Sequence, residues 1–299
     1  MAPLSWLERL AASWRGELRP TSAASIAPAG ASSPKTGTVV NGRFTLRAPL
    51  GQQRANGGVW RADDGLLQSS SVVTLLWADD RHDREALTRA LAALPRHTHP
   101  HLLAVRDAGL ITEGALSDWA CVAVDGFEES LHDRKSGAAS LSVDETHRLA
   151  IHICEALAGL HERGEVQGGL MPSDIVRAGN DWKLCHLPGI RGGTWSELPG
   201  ESGGAHAVAF VAPEALGAVA YAPSDLWALG AIVQWCATGA LPHDGEDVIS
   251  CVTALMTTEP RISDALPSRL ESFVRRSLVT DPAMRLTAAE GLELLGRAT

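Results

Sequence analysis

FVAPEAL at 210–216, SDLWALG at 224–230 and DPAMRLTAAE at 281–290 decide the fold of this 299-residue chain. Asp225 stands at the start of an apolar helical run, LWALGAIVQW (226–235). Helical patterns cover 224–238, 246–257, 266–278 and 287–296. Ahead of them lies LSVDETHRLAIHICEALAGLHERG (141–164). There Ser142 and Glu145 make the S-x-x-E form of a capping box, in which each side chain satisfies a helix N–H of the other. Leu149, Ile153, Leu157 and Leu160 then share one face, and Gly164 is a stop. A Gly-rich irregular stretch covers 189–206.

Before about Asp125 the pattern changes to strands. RFTLRAPL (43–50), GVWRADD (58–64), SVVTLLW (71–77), LLAVRDAG (102–109) and WACVAV (119–124) are short, β-branched or aromatic, and bounded by turn residues. One helical stretch, HDREALTRALAAL (82–94), interrupts them. The expected architecture is α+β and two-lobed, with a small β-rich N-lobe at about 41–125 and a larger helical C-lobe at about 126–296. In front of it, residues 1–19 read as an amphipathic helix, with Ser5 and Glu8 as a capping box and Trp6, Leu7, Leu10 and Trp14 apolar. Pro20 ends it, and 20–40 read as a flexible Ala/Ser/Pro linker tethering the helix.

Composition excludes several classes. With 45% apolar residues and 20% charged the chain has the makings of a large core. A net charge of −9 opposes a nucleic-acid role, which needs clustered Lys and Arg. No apolar run is long enough to span a membrane and no secretory signal is visible. Five cysteines without a C-x-x-C pair imply reduced thiols in a cytoplasm. Only three of the 26 basic residues are lysines: Lys35, Lys135 and Lys183.

The three C-terminal segments, in this order and spacing, resemble the signature set of protein kinases. NGRFTLRAPLG (41–51), HPHLLAVRDAG (99–109) and VQGGLMPSDIV (166–176) resemble the first strand, fourth strand and catalytic loop of bacterial serine/threonine kinases. The resemblance covers about 41–296 and implies a two-lobed kinase fold. It implies that Glu214 pairs with Arg285, and that Asp225 accepts hydrogen bonds from the catalytic-loop backbone. Trp227 and Gly230 become packing residues.

Phosphoryl transfer needs a phosphate-covering loop, a lysine on the phosphates, two metal-binding side chains and a base. The loop reads GQQRANGGVW (51–60), with Gln53 and Arg54 where small residues let backbone approach phosphate. The lysine position is Leu75 or Leu76, and Arg61 is the nearby cation. In the catalytic loop the base position is Gly169, the phosphate-contacting lysine is Met171, and the metal-binding Asn is Asp174. After the strand WKL (182–184), His186 or Leu187 takes the place of the metal-binding Asp. Glu85 is the candidate helix Glu. A zinc site at Cys185–His186 lacks the spaced partner pairs such sites use.

The groups that touch ATP, metal and proton are thus replaced, whereas those that hold the fold remain, a pattern resembling a pseudokinase. The expectation is a catalytically inactive protein-binding scaffold or allosteric regulator, without cofactor or metal. Leu76, Val73, Trp60 and Trp77 then make a self-filled apolar nucleotide pocket. Expected partners are an active kinase, a phosphatase, or a signalling or secretion assembly, with Trp6, Leu7, Leu10 and Trp14 as the contact face. The alternative is an unconventional nucleotide-dependent transferase built on Asp174, Glu85 and Arg61. A phosphopeptide reader would want an Arg cluster, for which Arg275–Arg276 is the one adjacent pair.

Overall fold

The structure is a computed structural model that describes residues 33–54, 57–77, 81–92, 94, 98–136, 141–187, 207–217 and 220–297. The helix expected over 1–19, with Trp6, Leu7, Leu10 and Trp14, lies outside the described residues, as do most of the linker and of the 189–206 stretch. The chain divides into two compact units. Described residues up to Thr98, Leu103–Glu128 and Leu187 belong to the first, while His99–Leu102, Glu129–His186 and the described residues from 207 onward belong to the second.

The first unit is built on a six-stranded antiparallel sheet. Its strands are β1 (Val39–Val40), β2 (Phe44–Arg54), β3 (Gly57–Asp64), β4 (Ser69–Leu76), β5 (Val105–Leu110) and β6 (Ala120–Asp125), in the order β1-β2-β3-β4-β6-β5. Helix α1 (Arg81–Ala92) packs on β5 and β6. Strand side chains alternate between the two faces. Phe44, Leu46, Trp60, Val73, Leu75, Trp119 and Cys121 accordingly share one buried cluster, with Trp77 packed against it. The alternation corrects the apolar nucleotide pocket expected of Trp60, Val73, Trp77 and Leu76. Three of the four fill or flank the core of this sheet beside Leu75, whereas Leu76 falls on the other face with Val72 and Thr74.

An ion pair joins the start of β2 to the end of β3. Arg43 donates from Nε to Asp64 Oδ1 at 2.9 Å and from Nη2 to Oδ2 at 2.6 Å. Asp64 Oδ1 also accepts from the Leu66 and Leu67 N–H groups, so the same carboxylate closes the β3–β4 turn.

The second unit is helical, with a small sheet of β7 (Glu129–Ser130), β8 (Ile175–Ala178) and β9 (Asp181–Leu184). A short α2 (Leu131–Ser136) follows β7. Helix α3 (Val143–His161) begins where the capping box places it, Ser142 Oγ accepting from the Glu145 N–H at 3.1 Å. Its apolar face, including Leu149, Ile153, Leu157 and Leu160, is buried. Helix α4 (Ala222–Thr238) is the centre of the unit, with Leu226–Val233 all buried. An apolar run without a polar stripe can sit only where protein surrounds it. Helices α5 (Val248–Thr257), α6 (Ser268–Ser277) and α7 (Ala288–Arg297) complete the unit, with α3 packing on α4 and α7 and α6 on α4. Gly230 of α4 permits that last approach, because a Cβ there would stand 2.4 Å from Ser277 Cβ.

Candidate functional site

Asp225 organises the loop that resembles the catalytic loop. Its carboxylate is fully buried, and a buried charge is tolerated only with donors around it. Three donors meet it: the Gln167 N–H at 2.8 Å, the Gly168 N–H at 2.7 Å and His161 Nε2 at 3.0 Å. The last residue of α3 and the first turn of α4 thereby hold residues 167–168 between them. The loop continues through buried Leu170 into a 3-10 turn at Pro172–Asp174.

Within that loop Gly169 has φ +113°, a conformation L side chains rarely adopt. The backbone itself therefore accounts for glycine at the base position. Met171 lends the turn its N–H, which Asp174 Oδ2 accepts at 2.9 Å. Asp174 is buried, and its carbonyl accepts from the Cys185 N–H at 2.8 Å, joining the loop to the chain beyond β9.

His186 follows directly. It is buried, with Nδ1 2.7 Å from Gln167 Oε1 and Nε2 3.5 Å from Glu165 Oε2. The Gln167 amide nitrogen donates to the Cys185 carbonyl at 3.3 Å, which aims its oxygen at the imidazole. Nδ1 therefore carries a proton, and Nε2 faces the carboxylate of Glu165, which favours a proton there as well. Glu165 and Gln167 were not singled out from the sequence, because only the folded loop turns them toward His186.

Glu214 and Arg285 meet as the resemblance implies. Burial pushes the Glu214 carboxyl up, but hydrogen bonds from Arg285, from its own backbone and from Ser224 outweigh that and leave it below 4.5. Arg285 also donates to the carbonyls of Pro223, Val279 and Thr280.

The remaining candidates are dispersed. Glu85 lies exposed on α1. Arg61 donates to the carbonyls of Phe127 (2.9 Å) and Glu128, so its guanidinium is engaged by backbone. Of the two leucines at the lysine position, Leu75 is in the sheet core and Leu76 is half-buried. Their neighbour Thr74 is buried, and among the described residues its hydroxyl meets no partner. The fold implies ATP and two Mg²⁺, and the donor set does not fit the metal pair. One oxygen of Asp174 closes a turn, and His186 offers nitrogen, whereas Mg²⁺ takes oxygen ligands. Among the described residues no three His, Cys, Asp or Glu side chains are placed to hold a metal. None of the described helices is long and apolar enough to cross a membrane.

No family model matches the chain. It is 27% identical over 284 residues to a probable serine/threonine-protein kinase of Corynebacterium efficiens, covering 87% of this chain and 42% of that protein. It is 25% identical over 272 residues to the serine/threonine-protein kinase PrkC of Bacillus subtilis, covering 86% and 40%. The chain thus spans about two fifths of the length of these relatives. The kinase domain of Mycobacterium tuberculosis PknI superposes with a TM-score of 0.62 at 23% identity, over 90% of this chain and all of that one. The chain has a protein-kinase fold and is homologous to bacterial serine/threonine kinases. These relatives overturn the expectation of a catalytically inactive scaffold that is not an enzyme, since the proteins it matches are named as kinases.

Proposed function

We propose that the chain is a phosphotransferase of the serine/threonine-protein-kinase type, acting on protein hydroxyls with an altered proton-handling group. The observation that carries this reading is the loop at 167–174, held by Asp225 as a rigid element and bordered by a buried titratable imidazole. His186 is that imidazole. Its Nδ1–H is fixed by Gln167, and its Nε2, facing the Glu165 carboxylate, is the nitrogen that exchanges a proton. Homology to proteins named as kinases supports the reaction class. Five buried, unbridged cysteines support a reducing cytoplasm as its setting.

The test is incubation of the purified chain with radiolabelled ATP and mixed protein acceptors, with Mg²⁺, with Mn²⁺ and without added metal. The expected result is label on serine or threonine that falls about a hundredfold in His186→Ala, the low end for a positioned acid–base group. No label under any condition, or equal label in His186→Ala, refutes the assignment.

A further inference from the structure

Residues 99–102 (HPHL) are a four-residue strap belonging to the second unit, although the chain on both sides of it belongs to the first. We propose that this strap is a proton-gated latch, fastened when His101 carries two ring protons while His99 and His152 carry one each, and loosened on either side of that state.

The hydrogen-bond geometry sets these protonation states. His101 Nε2 is 3.0 Å from Glu155 Oε2, and its Nδ1 is 3.3 Å from the Trp182 carbonyl oxygen. A carboxylate and a carbonyl both only accept, so both ring nitrogens must donate. His152 faces the opposite demand. Its Nδ1 accepts the Trp182 N–H at 3.1 Å, and its ring stacks on His101 with centroids 3.9 Å apart. His99 Nδ1 likewise accepts the His101 N–H at 3.1 Å. One imidazolium is therefore bracketed by two neutral rings. The backbone follows the same path, the His101 carbonyl accepting from the Leu184 N–H at 2.8 Å while Leu102 bridges Leu184 in parallel.

The charged and titratable groups facing this cluster are Glu155, His152 and Arg148 on α3, Arg163 just past it, and Asp181 on β9. Burial, and next the charge on His101, holds both His99 and His152 below 6.5, with Glu155 opposing at both and Asp181 at His152. Both rings thus stay neutral through mild acid. As pH falls below about 6.5 toward their lowered values, their Nδ1 lone pairs are lost and the strap weakens. Loss of either His101 ring proton removes one of its two donors, and the strap weakens again.

The test uses the full chain. Nitrogen NMR of the imidazoles at pH about 6 should show His101 doubly protonated, with His99 and His152 as neutral Nε2–H rings. Amide exchange of Trp182 and Leu184, corrected for intrinsic rate, should speed about tenfold once His101 has lost a ring proton, the change expected for one lost hydrogen bond. His101→Gln should abolish that step. A neutral His101 at pH about 6, or Trp182 and Leu184 protection indifferent to its protonation, overturns the proposal. The NMR measurement on the unaltered chain decides it even where a variant fails to fold.

Discussion

Arg285 Nη1 stands 2.6 Å from Glu214 Oε1, Nη2 stands 3.2 Å from Oε2, and the same guanidinium lies 5.1 Å over the Trp227 ring centre. One fully buried side chain thereby joins Glu214, the start of the central helix and the 279–285 loop. Truncating it strands a carboxylate and several carbonyls together. Arg285→Met is expected to destabilise the chain by about 3–5 kcal/mol in urea melts. Arg285→Lys should recover only part of this, since an ammonium cannot reproduce a bidentate, ring-stacked fork. A loss below about 1 kcal/mol in Arg285→Met would place the anchor elsewhere.

Asp64 gives the sheet an acid limit. Arg43 hydrogen bonding, against the cost of burial and with help from the Leu67 and Leu66 N–H groups, holds its carboxyl down to about 2 from 3.8. A depressed carboxyl stabilises the fold above its unfolded value and loses that contribution as pH falls through the folded one. Thermal melts of Asp64→Asn should therefore show lower stability near neutrality and a shallower decline between 3.8 and about 2. An unchanged acid limb would mean that the pair adds nothing to stability.

Thr74 carries a buried hydroxyl that meets no partner among the described residues. Thr74→Val keeps the shape and removes an undischarged desolvation cost. It should stabilise the chain by about 1 kcal/mol, measured by denaturant midpoint. A loss of similar size would reveal a hydrogen bond formed in solution.

Gly230 and Ser277 are coupled by contact. Gly230→Ala is expected to cost about 1–3 kcal/mol through overpacking of α4 on α6. Ser277→Gly in the same chain should return much of it, because the clash is between Cβ atoms. Strict additivity in the double-mutant cycle would contradict the contact.

Most of the frame was legible because its signals are local. The Ser142 cap, the 3.6-residue pattern of α3 and the apolar α4 each depend on neighbours within a few residues, and the five expected strands all appear within a few residues of their bounds. The two-residue strands Val39–Val40 and Glu129–Ser130 were not legible, since nothing but their partners makes them strands. At the site, Asp225, Glu214 and Arg285 were readable through the resemblance to protein kinases that their segments carry. Glu165 and Gln167 were not, because their orientation depends on a loop backbone with two successive left-handed glycines, Gly168 and Gly169. The choice between Leu75 and Leu76 turned on sheet parity, which register alone decides.

The strap at 99–102 has a consequence for covalent connectivity. Because the first unit runs to Thr98 and resumes at Leu103, no single cut divides the chain into its two units. A fragment ending at Glu128 would carry Leu102, buried in the whole chain, to the surface without the Leu184 strand that covers it. A cut within 99–102 would therefore part the first unit from its own remainder, not one unit from the other.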